Sequence, residues 1–249
     1  MVPLVIAHRG DPAHRPENTL ASFESALAVG ADLVELDIQR TRDGRVVVIH
    51  DGTLDRTTDG RGQVGERTLA EVKAVSAGYT ERFGSRYASE RVPTLAEALD
   101  LLRGRTRVMI EMKKESVMAE DSDDGIEALA VSEVRRAGIA KDVALISFER
   151  RALLRCQARA PEIRRGHLFY RAEPEDVVAG AREIGSDLVM PEKGMLSEAL
   201  RDRAREAGLK VATWVVDDPE ELRDLARFDL YGVGSNCPGL LLDALWGRD

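Results

Sequence analysis

The feature that most constrains the fold is a regular alternation of short apolar stretches with longer amphipathic ones along nearly the whole chain. The short stretches predict strands at residues 4–7, 33–39, 107–112, 143–146, 163–168, 188–190, 210–215 and 231–234. Apolar residues at helical spacing predict helices near residues 19–29, 95–102, 125–137, 150–159, 174–184, 196–207 and 219–226. Strands that alternate with helices pair in parallel, and eight such units in 249 residues predict a single (β/α)8 TIM barrel of the α/β class.

A doubly wound open sheet is the structural alternative. Its nucleotide-binding versions carry GxGxxG after the first strand or a GxxxxGK[ST] loop, and the sequence contains neither pattern at such a place. The barrel is therefore the favoured prediction.

One segment interrupts the alternation. A short extra strand at residues 45–49 leads into a stretch rich in Gly, Thr, Arg and Asp, with one predicted helix at residues 69–75. This stretch is too long for a simple connection. We expect one domain over residues 1–249, with an inserted segment at about residues 52–92. Residues 113–124, rich in Asp and Glu, predict a mobile surface loop.

Charge and cysteine content exclude several classes of function. The net charge of −8 argues against a general nucleic-acid or anionic-membrane binder, although a local phosphate site remains compatible with it. No apolar run approaches transmembrane length, and the start of the chain lacks the pattern of a signal peptide. Cys156 and Cys237 lie in no metal or redox spacing, which predicts free thiols and a cytoplasmic protein.

Two carboxylates share one face of the second predicted strand. Because side chains alternate along a strand, Glu35 and Asp37 lie on the face opposite Val34 and Leu36. If that face is buried, both charges are costly unless a cation neutralises them. Hard oxygen ligands at i and i+2 are suited to Mg²⁺ or Ca²⁺. The structural alternative is a solvated outer face of an edge strand.

Further polar residues follow the ends of other strands. In a barrel the carboxyl ends of all strands meet at one rim, where active sites form. Each residue alone has an ordinary interpretation as a surface or core residue. Together they predict an active site at that rim, built from His8, Arg9, Glu35, Asp37, His50, Asp51, Glu111, Lys113, Trp214 and Asn236.

The motifs that carry these residues resemble those of the glycerophosphodiester phosphodiesterase family. The matching elements, in order, are Ala7-His8-Arg9-Gly10, Pro16-Glu17-Asn18-Thr19, Glu35-Leu36-Asp37, His50-Asp51, Arg56-Thr57-Thr58 and Glu111-Met112-Lys113. One position departs from the pattern: the family usually has an acidic residue after the last strand, where this chain has Asn236. The asparagine keeps a hydrogen-bonding group and loses the charge.

The resemblance implies a role for each matching residue. Hydrolysis would give glycerol 3-phosphate and an alcohol. Glu35, Asp37 and Glu111 would hold one divalent cation, Mg²⁺ or Ca²⁺, and His8 and His50 would be the acid/base pair. Arg9 and Lys113 would contact phosphate oxygens, Trp214 would contact substrate, and Asp51 and Asn18 would support the site.

General chemistry agrees with these roles. A phosphodiester is an anion, so a metal ion flanked by Arg and Lys neutralises its charge and the charge that develops in the transition state. Histidine titrates near neutrality and can serve as acid or base. The attacking hydroxyl can belong to water or to the neighbouring glycerol carbon, and the sequence leaves both open.

Other functions remain as alternatives. The first prediction is a hydrolase of glycerophosphocholine or glycerophosphoethanolamine. A related enzyme acting on lysophospholipids is the second. The third is a non-catalytic barrel that binds a phosphorylated ligand, against which the two histidines argue because binding alone needs no titrating pair. We expect a small-molecule phosphodiester partner, no nucleic acid and no stable membrane anchor, with the oligomeric state open. His14 and His167 are predicted to lie in a surface loop and in the core or rim, respectively.

Overall fold

Eight parallel strands close into a barrel in the computed structural model, which describes residues 2–247. The strands are β1 (Leu4–Ala7), β2 (Leu33–Arg40), β3 (Val46–Val48), β4 (Arg107–Met112), β5 (Val143–Ser147), β6 (Arg164–Phe169), β7 (Leu188–Pro191), β8 (Lys210–Thr213) and β9 (Gly232–Ser235). Strand β1 pairs with β9 on one side and with β2 on the other, so the ring has no open edge there. This closure confirms the predicted TIM barrel and excludes the open sheet. Strand β3 adds antiparallel to β2, outside the ring.

Helices connect successive strands. They are α1 (Leu20–Val29), α2 (Leu69–Ala74), α3 (Thr80–Phe83), α4 (Leu95–Leu102), α5 (Ile126–Ala137), α6 (Arg150–Arg159), α7 (Pro174–Glu183), α8 (Glu198–Glu206), α9 (Pro219–Leu225) and α10 (Pro238–Trp246). The sequence analysis missed α3, which has only four residues, and α10. Helix α10 begins with Pro238-Gly239, a pair that is typical of turns, although proline also suits the first turn of a helix.

Polar caps fix where the helices begin. Thr19 precedes α1, and its side chain accepts a hydrogen bond from the backbone N–H of Ser22. Thr94 precedes α4 and forms a capping box with Glu97. Each cap satisfies a backbone N–H in the first turn of its helix.

The barrel interior is apolar at one end and acidic at the other. Side chains that fill its middle include Ile6, Leu33, Met109, Ile146, Leu168 and Met190. Leu33, Glu35 and Asp37 share the inward face of β2, while Leu36 and Ile38 pack outward against the helices. Glu35 and Asp37 are therefore buried, which rules out a solvated edge strand.

The segment between β3 and α4 has a small core of its own. Its members are Val47, Ile49, Leu54, Val64, Val72, Ala77 and Val92. The backbone N–H of Ile49 donates to the carbonyl of Asp37 at 3.0 Å, which fixes the start of the segment against β2. His50 therefore emerges beside the acidic end of the barrel.

Two further features bear on the sequence predictions. Within residues 2–247, no helix combines the length and apolar character needed to cross a membrane. Cys156 is buried, Cys237 is half-buried, and both are free thiols.

Candidate active site

Three carboxylates meet inside the barrel, two from the middle of β2 and one from the carboxyl end of β4. Glu35, Asp37 and Glu111 each place one oxygen within 4.8 Å of the others, and all three are buried. The parallel register puts Asp37 directly opposite Glu111, and Glu35 lies two residues away on the same face of β2. The sequence analysis predicted this cluster, and the structure brings its members together.

Two positively charged side chains, Lys113 and Arg9, lie against the acidic cluster. The Lys113 ammonium is 2.7 Å from Glu111 Oε1 and 3.4 Å from Asp37 Oδ1. Arg9 donates its backbone N–H to Glu35 Oε2 at 3.0 Å, and its Nε is 3.1 Å from Asp37 Oδ2. Three carboxylates thus face two cationic side chains, which leaves the cluster one positive charge short of balance.

Two buried oxygens of the cluster are available to a metal ion. Among the described residues, neither Glu35 Oε1 nor Asp37 Oδ1 has a hydrogen-bond partner. The one ion-pair partner of Asp37 Oδ1 among the described residues is the Lys113 ammonium, at 3.4 Å. Unsatisfied buried carboxylate oxygens are costly, and hard divalent cations bind through such oxygens. The residues therefore fit a divalent cation.

The ionisation of the cluster shows the same shortage of positive charge. Burial, followed by the charge of Asp37, raises the pKa of Glu111 to about 7. Burial and the neighbouring carboxylates Asp37 and Glu111 raise the pKa of Glu35 well above its usual range. Burial alone would also raise the pKa of Asp37, but the charges of Arg9 and Lys113 outweigh it and lower that pKa. A bound cation would favour the ionised form of all three.

Arg9 and Asn18 adopt left-handed backbone conformations, with φ of 57° at each. Such conformations are unfavourable for residues with a Cβ and persist where surrounding contacts impose them. The Asn18 side chain donates to Asp37 Oδ2 at 2.8 Å and accepts from the backbone N–H of Asp37 at 3.2 Å. Asn18 therefore supports Asp37 directly, and the two strained residues both lie on the acidic cluster.

His50 lies at the rim with a carboxylate on one ring nitrogen. Its Nδ1 is 2.6 Å from Asp51 Oδ1. The side chain of Asp51 therefore orients the ring through Nδ1. The second ring nitrogen, Nε2, is not engaged by Asp51. The sequence analysis gave Asp51 a supporting role, and this contact indicates that the support consists in orienting the His50 ring.

His8 lies at the rim with a neutral partner. Its Nδ1 is 2.8 Å from Asn236 Oδ1. The Asp217 carboxylate accepts from the Asn236 side-chain amide at 2.8 Å and from the Asn236 backbone N–H at 2.7 Å. Because an ionised carboxylate only accepts, the amide NH₂ must face Asp217 and Oδ1 must face His8. Burial, followed by the charge of Arg9, lowers the pKa of His8 to about 4.

Asp217 is a residue that the sequence analysis missed. Asn236 carries no negative charge, but the Asp217 carboxylate behind it does. Asp217 lies on the loop after β8 and reaches His8 only through Asn236. No spacing along the sequence links position 217 to position 236, because the contact depends on where two loops of the barrel meet.

A second group missed by the sequence analysis joins the inserted segment to the barrel. Arg56 donates to Asp51 and to Glu17, and Glu17 also accepts from Arg9 at 2.9 Å. Arg56 and Glu17 both stand in motifs that carry the family resemblance, so the signal was present without an assigned role.

Aromatic side chains line one side of the cavity. Phe148 stacks on Tyr170 with ring centroids 4.6 Å apart, and Trp214 meets both rings edge to face. The Trp214 indole N–H donates to the carbonyl of Met190 at 3.1 Å, which fixes the ring. The cavity is lined by these rings and by His8, Arg9, Glu35, His50, Glu111 and Lys113.

The two other histidines lie away from this cavity. His14 is largely exposed in the loop after β1, where its Nδ1 is 2.9 Å from Asp11 Oδ1. His167 is buried on β6, with its ring 4.0 Å from that of Phe169. Neither is among the residues that line the cavity in the described part of the chain.

Comparison with known proteins places this barrel in a family. The sequence profile described as the glycerophosphoryl diester phosphodiesterase family matches residues 8–240. The chain belongs to that family. It is therefore a phosphoric diester hydrolase, and the resemblance read from the sequence motifs is confirmed.

Individual members of the family are similar along nearly their whole length. A glycerophosphodiester phosphodiesterase of Caldanaerobacter subterraneus subsp. tengcongensis is 34% identical over 244 residues, which cover 98% of each chain. One from Bacillus subtilis is 29% identical over 255 residues, covering 95% of this chain and 84% of the relative.

Solved structures of family members share the fold. A phosphodiesterase of Oleispira antarctica, in complex with the product sn-glycerol-3-phosphate, matches with a TM-score of 0.87 and 29% identity, over 98% of this chain and 97% of that chain. A glycerophosphodiester phosphodiesterase of Agrobacterium tumefaciens matches with a TM-score of 0.82 and 31% identity, over 96% and 98%.

Proposed function

We propose that this hydrolase cleaves glycerophosphodiesters such as glycerophosphocholine and glycerophosphoethanolamine to sn-glycerol 3-phosphate and an alcohol. One observation carries the proposal. Two histidines and two cationic side chains, Arg9 and Lys113, line one cavity together with Glu35 and Glu111 of the acidic cluster. A glycerol 3-phosphate product is bound by the similar Oleispira antarctica enzyme.

We propose one divalent cation, Mg²⁺ or Ca²⁺, with Glu35, Asp37 and Glu111 as its ligands. When bound, the cation supplies charge neutralisation at the phosphoryl oxygens. The donor set consists of carboxylate oxygens, which favours these hard ions over Zn²⁺. Arg9 and Lys113 line the cavity and are proposed to bind the remaining phosphate oxygens.

The partners of the two histidines suggest how they divide the proton transfers. Asn236 accepts from Nδ1–H of His8, so Nε2 carries the lone pair, and the lowered pKa keeps the ring neutral. His8 is therefore proposed as the base that takes the proton of the attacking hydroxyl. The Asp51 carboxylate holds Nδ1 of His50, so the ring is oriented with Nε2 directed away from Asp51. His50 is proposed as the acid that protonates the leaving alkoxide as its P–O bond breaks.

An assay of product release tests this function. Purified protein with Mg²⁺ or Ca²⁺ should release glycerol 3-phosphate together with choline or ethanolamine from the corresponding diesters. The His50→Ala variant, measured beside it, controls for a contaminating hydrolase. Equal release by both proteins, or none by either, would overturn the proposal.

A specific observation favours lysophospholipids as a second candidate substrate class. Tyr170 is 63% exposed and stacks on Phe148 at the side of the cavity, which presents apolar surface beside the phosphate position. An acyl chain could lie on these rings. A higher kcat/KM for lysophosphatidylcholine than for glycerophosphocholine, reduced selectively in Tyr170→Ala, would establish this class.

We further propose that residues 1–249 act as one barrel domain, with residues 52–92 as an insertion, in the cytoplasm. The free thiols support a reducing compartment, and the net charge of −8 supports a small-molecule partner in place of nucleic acid. Size-exclusion chromatography with light scattering would give the oligomeric state, and fractionation of cells would give the compartment.

A further inference from the structure

We propose that Arg56, in the inserted segment, is a positioning residue. It holds both His50 and the proposed phosphate-binding residue Arg9 in place. The inference rests on the proposed function, because the residues that Arg56 would position, His50 and Arg9, have their roles only in that function. Arg56 is not among the residues that line the cavity in the described part of the chain, so it acts through its neighbours.

Arg56 binds two carboxylates at once. Its Nε and Nη2 donate to the two oxygens of Asp51 at 2.7 and 3.1 Å. Its Nη1 and Nη2 donate to the two oxygens of Glu17 at 2.8 and 2.9 Å. All three guanidinium nitrogens are engaged, and each carboxylate is bound through both of its oxygens. A lysine ammonium cannot reproduce this planar fork.

The first branch leads to His50. Asp51 Oδ1 accepts from Arg56 Nη2 and also lies 2.6 Å from His50 Nδ1. Arg56 therefore fixes the plane of the carboxylate that orients the imidazole. Burial alone would raise the pKa of Asp51, but hydrogen bonds from Arg56 and His50 lower it to about 2. Without Arg56, Asp51 would be free to rotate and the ring would lose its fixed partner.

The second branch leads to Arg9. Glu17 Oε1 accepts from Arg56 Nη2 and from Arg9 Nη1, both at 2.9 Å. The Glu17 side chain is only 9% exposed, so its charge needs both partners. Arg9 lines the cavity. Arg56 thus connects His50 with Arg9 through Asp51 and Glu17. Neither of these carboxylates is a proposed metal ligand.

The inserted segment also holds Arg56 from its own side. The guanidinium carbon lies 5.8 Å from the centre of the Tyr79 ring, within the range of a cation–π contact. Leu54, two residues earlier, is buried in the small core of the segment. The segment therefore presents Arg56 to the barrel from a packed base, which gives it a role beyond covering the cavity.

Steady-state kinetics of matched variants test the proposal. Arg56→Ala should lower kcat roughly 10- to 100-fold, the usual loss for a residue that orients a functional group, and should raise KM because Arg9 is loosened. Arg56→Lys should recover little, since one ammonium cannot bind both carboxylates. Millimolar guanidinium should restore part of the Arg56→Ala activity. The matched control is Arg61→Ala, because Arg61 lies in the same segment and donates to backbone carbonyls.

Two readouts separate positioning from loss of fold. Nitrogen-15 NMR of labelled histidine, recorded on the neutral ring, should show the Nδ1–H tautomer at His50 in the wild type and a mixture of tautomers in Arg56→Ala. A substrate with a phenolic leaving group, which needs little protonation, should be cleaved by Arg56→Ala much closer to the wild-type rate. Arg56→Lys, which keeps the positive charge, provides a folded variant for both measurements if Arg56→Ala unfolds.

The outcomes distinguish this inference from the proposed function. If His50→Ala is inactive while Arg56→Ala and Arg56→Lys keep full kcat and an unchanged His50 spectrum, the positioning role is overturned and the proposed function stands. If His50→Ala keeps full activity, the proposed function fails and the inference fails with it. A selective kcat loss, the altered spectrum and rescue by guanidinium together support Arg56.

Discussion

Asp37 and Glu111 stand directly opposite each other on neighbouring parallel strands, so their carboxylates meet inside the barrel at one height. Glu35 lies one inward position before Asp37, which completes the cluster. Side chains of like charge at such positions repel each other unless a cation joins them. The pairing of β2 with β4 therefore fixes the geometry of the acidic cluster, which is the proposed metal site.

We predict that removing divalent cations abolishes activity and that Mg²⁺ or Ca²⁺ restores it. Glu111→Gln keeps the shape of the side chain and removes the charge of one proposed ligand, so it should weaken metal binding measured by isothermal titration calorimetry. Glu127→Gln is a control, since Glu127 is a buried carboxylate paired with Arg155 away from the cavity. Full activity after exhaustive chelation would contradict the metal assignment.

The two histidines should respond differently to the leaving group. Replacing His8 or His50 with Ala should lower kcat on glycerophosphocholine by roughly 10²-fold or more. With a phenolic leaving group, the variant that lacks the proposed acid, His50→Ala, should recover most of its rate, and His8→Ala should not. The double variant should lose much less than the product of the single losses. Near-normal turnover by either single variant on the natural diester would disprove the mechanism.

The acid limb of the pH profile should lie well below the ordinary histidine range. A base works only when neutral, and burial lowers the pKa of His8 from 6.5 to about 4. The neutral form therefore persists as the pH falls below 6.5, and kcat/KM should decline only as the pH approaches about 4. Measurement of kcat/KM across this range with saturating metal checks the sign. An acid limb at 6.5 or above would contradict the assignment of His8.

The sequence predicted those parts of the site that lie on regular structure. Strand alternation placed Glu35 and Asp37 on one face, and the barrel rule placed His8 and Glu111 at the same rim. These inferences need only local periodicity and one fold rule.

The parts that the sequence did not predict depend on contacts between distant loops. Asp217 reaches Asn236 because the loops after β8 and β9 are adjacent, and Arg56 reaches Glu17 across 39 positions. The left-handed backbone at Arg9 was not predicted either, because an arginine rarely adopts a positive φ, whereas asparagine, as at Asn18, does so more often.

Gly10 should be far less tolerant of alanine than Gly30. Both have positive φ, 91° and 84°, which costs an alanine roughly 1–2 kcal/mol. A Cβ at Gly10 would also meet Ser22 Cβ at 2.8 Å and Ser22 carbonyl carbon at 2.7 Å, whereas a Cβ at Gly30 meets nothing within 4 Å. Urea unfolding should show a clearly larger loss for Gly10→Ala. Equal losses in the two variants would mean that the loop after β1 relaxes freely.

The last prediction concerns the pair formed by Asn236 and Asp217. Asn236→Asp alone would place two carboxylates in contact where an amide now donates to Asp217 at 2.8 Å. Their repulsion should lower the free energy of unfolding and reduce kcat. Adding Asp217→Asn exchanges the two residues and restores a donor between them, so the double variant should recover both stability and turnover. His8 then has a carboxylate on Nδ1, which stabilises its imidazolium, so the acid limb of kcat/KM should move to higher pH than in the wild type. Recovery in the exchanged variant with this upward movement requires that Asn236 and Asp217 act on His8 together. Wild-type behaviour of Asn236→Asp alone would show that the contact has no influence on the histidine.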